Sequence, residues 1–96
     1  MEDPVVHVTV TFLGLLRDQM GVPRLEVILP PGARLRDLLD ALAPQVEGKI
    51  GDWAWDRNTR DFTSSVIVSR VHSGKDKEGE LIDGEEIVVL PPMAGG

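Results

Sequence analysis

Leu35, Leu38, Leu39 and Leu42 fall at i, i+3, i+4 and i+7, and that single apolar stripe constrains everything else the chain can form. It marks the clearest helix, and the strands around it must share that helix as their cover. Ala33 and Arg34 are poor caps for its start, which Asp37 in the first turn partly offsets through the helix dipole. Pro44 disfavours helical geometry at Ala43 and predicts that the helix ends there.

The strands read by a different period. Val6, Val8, Val10 and Phe12 alternate with Val5, His7, Thr9 and Thr11, the pattern of a half-buried strand; Leu13 breaks it, an apolar residue on the otherwise polar face. Residues 14–20 suit a short helical turn with Leu15 and Leu16 inward and Gly21 as its stop. Leu25 to Leu29 is a second strand, stopped by Pro30-Pro31-Gly32, Ser65 to Val71 a third, and Glu85 to Leu90 the last. His72 to Glu80 and Asp83-Gly84 read as turns, and Gln45 to Ser64 as an irregular segment. Trp53, Trp55 and Phe62 in that segment are expected to plug the end of the core rather than form a docking patch.

One helix against four strands, with a fifth allowed, is an α+β domain; a hairpin of the first two strands with the helix crossing beneath makes it a β-grasp. The expected division is a domain over residues 1–90 and a flexible extended tail over 91–96.

Composition narrows the function. With 96 residues there is room for one small core. The absence of cysteine excludes a disulfide scaffold, a thiol nucleophile, a zinc finger and an iron–sulfur cluster, and suits a reducing interior. Sixteen acidic residues against 10 basic ones give a net charge of −6, which opposes nucleic acid or anionic lipid and favours a protein partner with a basic docking surface. No apolar run has the ~18–20 residues of a membrane span. The acidic start, Met1-Glu2-Asp3-Pro4, lacks the basic region of a signal peptide, so a cytoplasmic location is expected.

Chemistry held on side chains finds little support. His7, assigned to the outer face of an edge-like strand, and His72 in a turn belong to no catalytic or metal-ligand motif and read as solvated surface groups. The pair Asp37 and Asp40 reads as a solvated helix face, and Asp83, Glu85 and Glu86 as a solvated turn. No glycine-rich phosphate loop is present. By itself the domain is not expected to be an enzyme, nor to bind a cofactor or metal.

The tail is more informative. Pro91-Pro92 cannot continue a ladder, and Met93, Ala94, Gly95 and Gly96 shrink toward the carboxyl end. Six residues reach on the order of 20 Å at ~3.3–3.6 Å each, a thin probe with a carboxylate at its tip. The ending from Asp83-Gly84-Glu85-Glu86 through Leu90-Pro91-Pro92-Met93-Ala94-Gly95-Gly96 resembles the ubiquitin-like small sulfur carriers, with support from Phe12-Leu13-Gly14-Leu15-Leu16-Arg17-Asp18 and from Leu29 to Leu39. The diproline resembles the molybdopterin synthase small subunit more than the thiazole-pathway carrier. The likeness spans about Val6 to Gly96.

This resemblance implies that Gly96, preceded by Gly95, is adenylated by a ubiquitin-activating-type adenylyltransferase using ATP. It implies that a sulfur donor enzyme supplies the sulfur of a thiocarboxylate, and that the molybdopterin synthase large subunit consumes it. Adenylation converts a poor acyl donor into one with a good leaving group. Partner contacts are expected at Leu13, Val88 and Leu90, as an apolar patch if their faces coincide, and along Pro91, Pro92, Met93 and Ala94.

The chain departs from the pattern in its long aromatic segment over residues 51–64, in Ser69-Arg70 where a valine–asparagine–glycine-type turn is usual, and in Arg34 at the helix cap. The pathway therefore stays open: thiazole synthesis, tungsten cofactor synthesis or tRNA thiolation would use a similar carrier. The rival reading is a non-catalytic interaction or conjugation module.

Overall fold

Seven residues with strict period two, Val6–Phe12, form strand β1, which turns its even-numbered side chains into the core. A computed structural model of the protein describes residues 4–71 and 79–91. Helix α1 follows at Leu15–Met20, and Gly21 closes it in the left-handed conformation with its N–H donating to the Arg17 carbonyl. Leu16 and Met20 are buried as the turn's inner side, but Leu15 is 53% exposed, correcting its expected inward position. A single turn of helix has only one inward side, and Leu16 fills it.

Strand β2 is Arg24–Leu29, antiparallel to β1 with Val6 opposite Leu29. Helix α2 runs over Leu35–Val46, three residues past the expected end. Pro44 lies inside it, and the Glu47 N–H still donates to the Ala43 carbonyl at 3.0 Å. A proline removes one backbone bond, whereas Ala43 and Val46 are both buried by the last turn, so packing overrides local preference. At the other end the Asp37 carboxylate accepts the Arg34 backbone N–H at 2.9 Å, the reaching-back half of a capping box.

The segment expected to be irregular contains a small hairpin, β3 (Trp55–Asp56) against β4 (Asp61–Phe62). The plug is real for two of its aromatics. Trp55 and Phe62 are buried edge-to-face with ring centroids 5.0 Å apart, while Trp53 lies at the surface. Arg36 of α2 fixes the hairpin from outside, donating to the carbonyls of Thr59 and Arg60 and pairing with Asp40.

Strand β5 is Ile67–Arg70, shorter than expected, and β6 is Glu85–Leu90. The sheet order is β2-β1-β6-β5, with β1 and β6 parallel and the other pairs antiparallel. The first and last strands thus form the centre of a mixed four-stranded sheet, and α2 covers one face with Leu38, Leu39 and Leu42. This is the α+β, β-grasp arrangement. His7 consequently lies on an inner strand, not an edge, because β6 takes the place beside β1 that local pattern cannot foresee. No helix among the described residues is long and apolar enough to cross a membrane.

Candidate docking face and tail root

Strand β6 carries the chain toward its carboxyl end from the middle of the sheet. Pro91, directly after the strand, is half-buried; Pro92, Met93, Ala94, Gly95 and Gly96 lie outside the described residues, as does His72. Along β6, Glu85, Ile87 and Val89 face the core, and Glu86, Val88 and Leu90 face away from α2. Alternation in an apolar strand sandwiched between two others makes that outward row half-buried rather than bare.

Register decides which neighbours join this row. Val88 lies opposite Thr11 on one side and Ser69 on the other, and Leu90 lies opposite Ile67. The ladder between β1 and β6 ends with the Leu13 N–H donating to the Val89 carbonyl at 3.1 Å. One step beyond the Phe12–Val89 pair brings Leu13 level with Leu90. Leu13, Leu90 and Ile67 therefore cross the sheet in one row at the end where the chain leaves, with Val88 one row inward. Leu13 is 38% exposed and Ile67 49%. The faces of Leu13, Val88 and Leu90 coincide.

Ile67 was not among the expected contacts. The signal was present in the alternation of Val66, Val68 and Arg70, which leaves residue 67 on the opposite face.

Away from this end, two charged groups depart from expectation. Glu85, read as part of a solvated turn, is 2% exposed and pairs with buried Arg70. Both occupy inward positions of their strands, so opposite charges on the core-facing parity were the clue. Asp83 accepts the His7 backbone N–H at 2.8 Å, and its carboxylate also lies 2.8 Å from His7 Nδ1. These contacts, the backbone one foremost, hold the Asp83 carboxyl below its ordinary pKa. Both groups are exposed and lie at the other end of β1, which makes this pair a pin between β1 and the start of β6.

Comparison with known proteins bears on the family and the fold. The family model described as the ThiS family matches residues 10–96. A Drosophila yakuba protein named molybdopterin synthase sulfur carrier subunit is 30% identical over 98 residues, covering 99% of this chain and 97% of its own length. A Pyrococcus furiosus structure described as molybdopterin converting factor, subunit 1, superposes with a TM-score of 0.65 at 27% identity, over 92% of this chain and 99% of the other. The small archaeal modifier protein 1 of Haloferax volcanii shares the fold with a TM-score of 0.73 at 18% identity, over 92% and 99% of the two chains. The chain belongs to the ThiS family, among the ubiquitin-like small sulfur carriers that its closing Pro-Pro-x-x-Gly-Gly resembles.

Proposed function

We propose that this protein carries sulfur as a thiocarboxylate on Gly96 and donates it as the small subunit of a molybdopterin-type synthase. The observation that carries the reading is the family match, which runs to residue 96 and includes the Gly-Gly ending, together with full-length relatives named as sulfur carrier subunits of that synthase.

The chemistry is simple to balance. The Gly96 carboxylate attacks the α-phosphate of ATP in an activating adenylyltransferase, pyrophosphate leaves, and an acyl-adenylate forms. Hydrosulfide, HS⁻, delivered by a donor enzyme attacks the acyl carbon, the C–O bond to AMP breaks, AMP leaves, and the thiocarboxylate remains after loss of the sulfur's proton. The carrier supplies no general acid or base to these steps. Its contribution is to dock and to present the carboxylate on a backbone thin enough for a partner's enclosed site, with Gly95 and Gly96 adding no width. Leu13, Val88, Leu90 and Ile67 are the docking residues of this reading, and Pro91, Pro92, Met93 and Ala94 extend the contact along the tail. The chain holds no cofactor, and ATP belongs to the activating partner.

The test is intact-mass analysis after incubation with ATP, the cognate activating enzyme and its sulfur donor. Replacement of one terminal oxygen by sulfur is expected, and deletion of Gly96 abolishes it while leaving the circular dichroism spectrum unchanged. An unmodified wild-type mass would sink the reading. The likeness to an archaeal protein named as a modifier makes conjugation the second reading. Covalent ladders on target proteins, without a thiocarboxylate product, would favour it.

A further inference from the structure

The two strands at the centre of the sheet stop together, and they stop against each other. On β6 the ladder ends because Pro91 has no N–H to donate. On β1 it ends because Gly14 takes φ +60° and ψ −136° and turns the chain into α1. Leu13 still bonds to Val89, so these two stops are neighbours in space. A Cβ built on Gly14 would lie 3.1 Å from Pro91 Cγ and 3.6 Å from its Cδ. The bare α-carbon of residue 14 is the floor on which the first proline of the tail rests.

The contact is asymmetric in what can yield. The Gly14 carbonyl accepts the N–H groups of Arg17 and Asp18 at 3.1 and 3.4 Å and so begins α1. That helix is held by Leu16 and Met20, at 0% and 3% exposure, inside the core. A side chain at residue 14 therefore cannot retreat, because the corner behind it is fixed by packing. Pro91 is half-buried and followed by the tail, so displacement goes there.

We propose that Gly14 is a positioning residue: by leaving room for Pro91 it sets the direction in which the chain bearing the Gly96 carboxylate leaves the sheet. The inference rests on the carrier role proposed above and adds a residue outside the tail to it. Docking through the sheet face fixes where the carrier sits on its partner, and the root of the tail then fixes where the carboxylate arrives. A misplacement of about 1 Å at a reacting group can cost a hundredfold in rate.

Gly21 provides an internal control. It also has positive φ, at +79°, but a Cβ there meets nothing within 4 Å. At ψ −1°, Gly21 lies in the left-handed region that other residues enter at modest cost, whereas ψ −136° at Gly14 is close to glycine-only. Gly21 therefore controls for positive φ alone, and the double variant with Pro91→Ala separates crowding of the tail root from backbone strain. The experiment measures kcat and KM for ATP-dependent pyrophosphate release by the cognate activating enzyme with wild type, Gly14→Ala, Gly14→Leu, Gly21→Ala and Gly21→Leu. All are assayed well below their unfolding temperatures, with rates scaled to the folded fraction from circular dichroism.

The expected result is a kcat lower by about threefold for Gly14→Ala, where Pro91 need give only a few tenths of an ångström, and by about ten- to a hundredfold for the larger Gly14→Leu, with KM little changed and both Gly21 variants like wild type. In the double variant Gly14→Ala with Pro91→Ala, the loss should be smaller than the product of the two single losses, since Cγ and Cδ are gone. Gly14 variants that match the Gly21 variants, lose only KM, or combine multiplicatively with Pro91→Ala overturn the inference while the carrier role stands. A wild-type protein that releases no pyrophosphate overturns the carrier role itself.

Discussion

Arg70 on β5 and Glu85 on β6 form a two-pronged ion pair closed off from water, with Nε 2.5 Å from Oε2 and Nη2 2.9 Å from Oε1. Their side chains are 2% and 0% exposed. Arg70 also donates to the carbonyls of Gly79 and Glu80, and Glu85 Oε1 accepts the Ile82 N–H at 3.0 Å. The pair thereby holds the return segment before β6 against the sheet, using donors that lie in one plane and acceptors that face them. A lysine offers three donors around one point and cannot reproduce that fork.

Glu85→Gln is therefore expected to lower the unfolding free energy by about 3–5 kcal/mol, because it leaves the guanidinium buried without its countercharge. Arg70→Lys should fall in the same direction. Urea denaturation followed by circular dichroism measures both, and a loss below about 1 kcal/mol for Glu85→Gln would mean the pair is not the clamp described.

The contact between Asp83 and His7 predicts a pH dependence. The His7 backbone N–H, and then its ring, hold the Asp83 carboxyl below its ordinary value. A carboxyl lowered in the folded state contributes stability that is fully present above its unfolded pKa of about 3.9 and is lost as pH falls through the folded value. The melting temperature of wild type should accordingly exceed that of Asp83→Asn near pH 6. The gap should close as the pH is taken well below 4. Thermal melts across that range check the sign, and a gap that widens on acidification contradicts it.

Local pattern revealed those parts of the fold that depend on period and punctuation. The leucine stripe at residues 35–42, the alternation of β1 and the limits of β6 are visible in sequence because burial acts on them residue by residue. Strand order is not local: nothing near His7 reveals that the last strand inserts beside the first. Pro44 misled for the opposite reason, since the rule against it is local and the burial of Val46 that overrides it is tertiary. Of the outward apolar row proposed for docking, Leu13 stood out because it broke its strand's pattern, whereas Ile67 obeyed the alternation of a short edge strand and drew no notice. Gly14 carries no side chain to draw attention, and only the position of Pro91 gives it a role.

Trp55 links the small hairpin to the end of α2. Its ring is 1% exposed against Phe62, and its Nε1 donates to Glu47 Oε2 at 3.2 Å. Trp55→Ala should destabilise by about 3–5 kcal/mol through the cavity left behind. Trp55→Phe keeps much of the volume and should cost less, and Glu47→Gln should cost only about 1 kcal/mol, since an amide oxygen still accepts the indole N–H. Denaturant titration orders the three, and Glu47→Gln costing as much as Trp55→Ala would show that the bond, not the packing, holds the hairpin.

The outward row at the tail root supplies the last prediction. Ile67 and Leu13 are among the exposed large apolar side chains, and Leu90 lies between them in register. Because Ile67 is half in solvent, Ile67→Asp should cost only about 1–2 kcal/mol of folding stability, from lost strand propensity and the half of the side chain that is covered, and leave the protein folded. A carboxylate in the middle of an apolar contact must be stripped of water on docking, so affinity for the synthase large subunit should fall by at least about tenfold. Titration calorimetry with that subunit measures the effect, and repeating it on protein lacking residues 95–96 separates face from tail. The loss should persist without the tail. Binding by wild type should also weaken as salt is raised, since a chain of net charge −6 is expected to meet a basic surface. Unchanged affinity for Ile67→Asp would remove this row from the interface and leave docking to the tail alone.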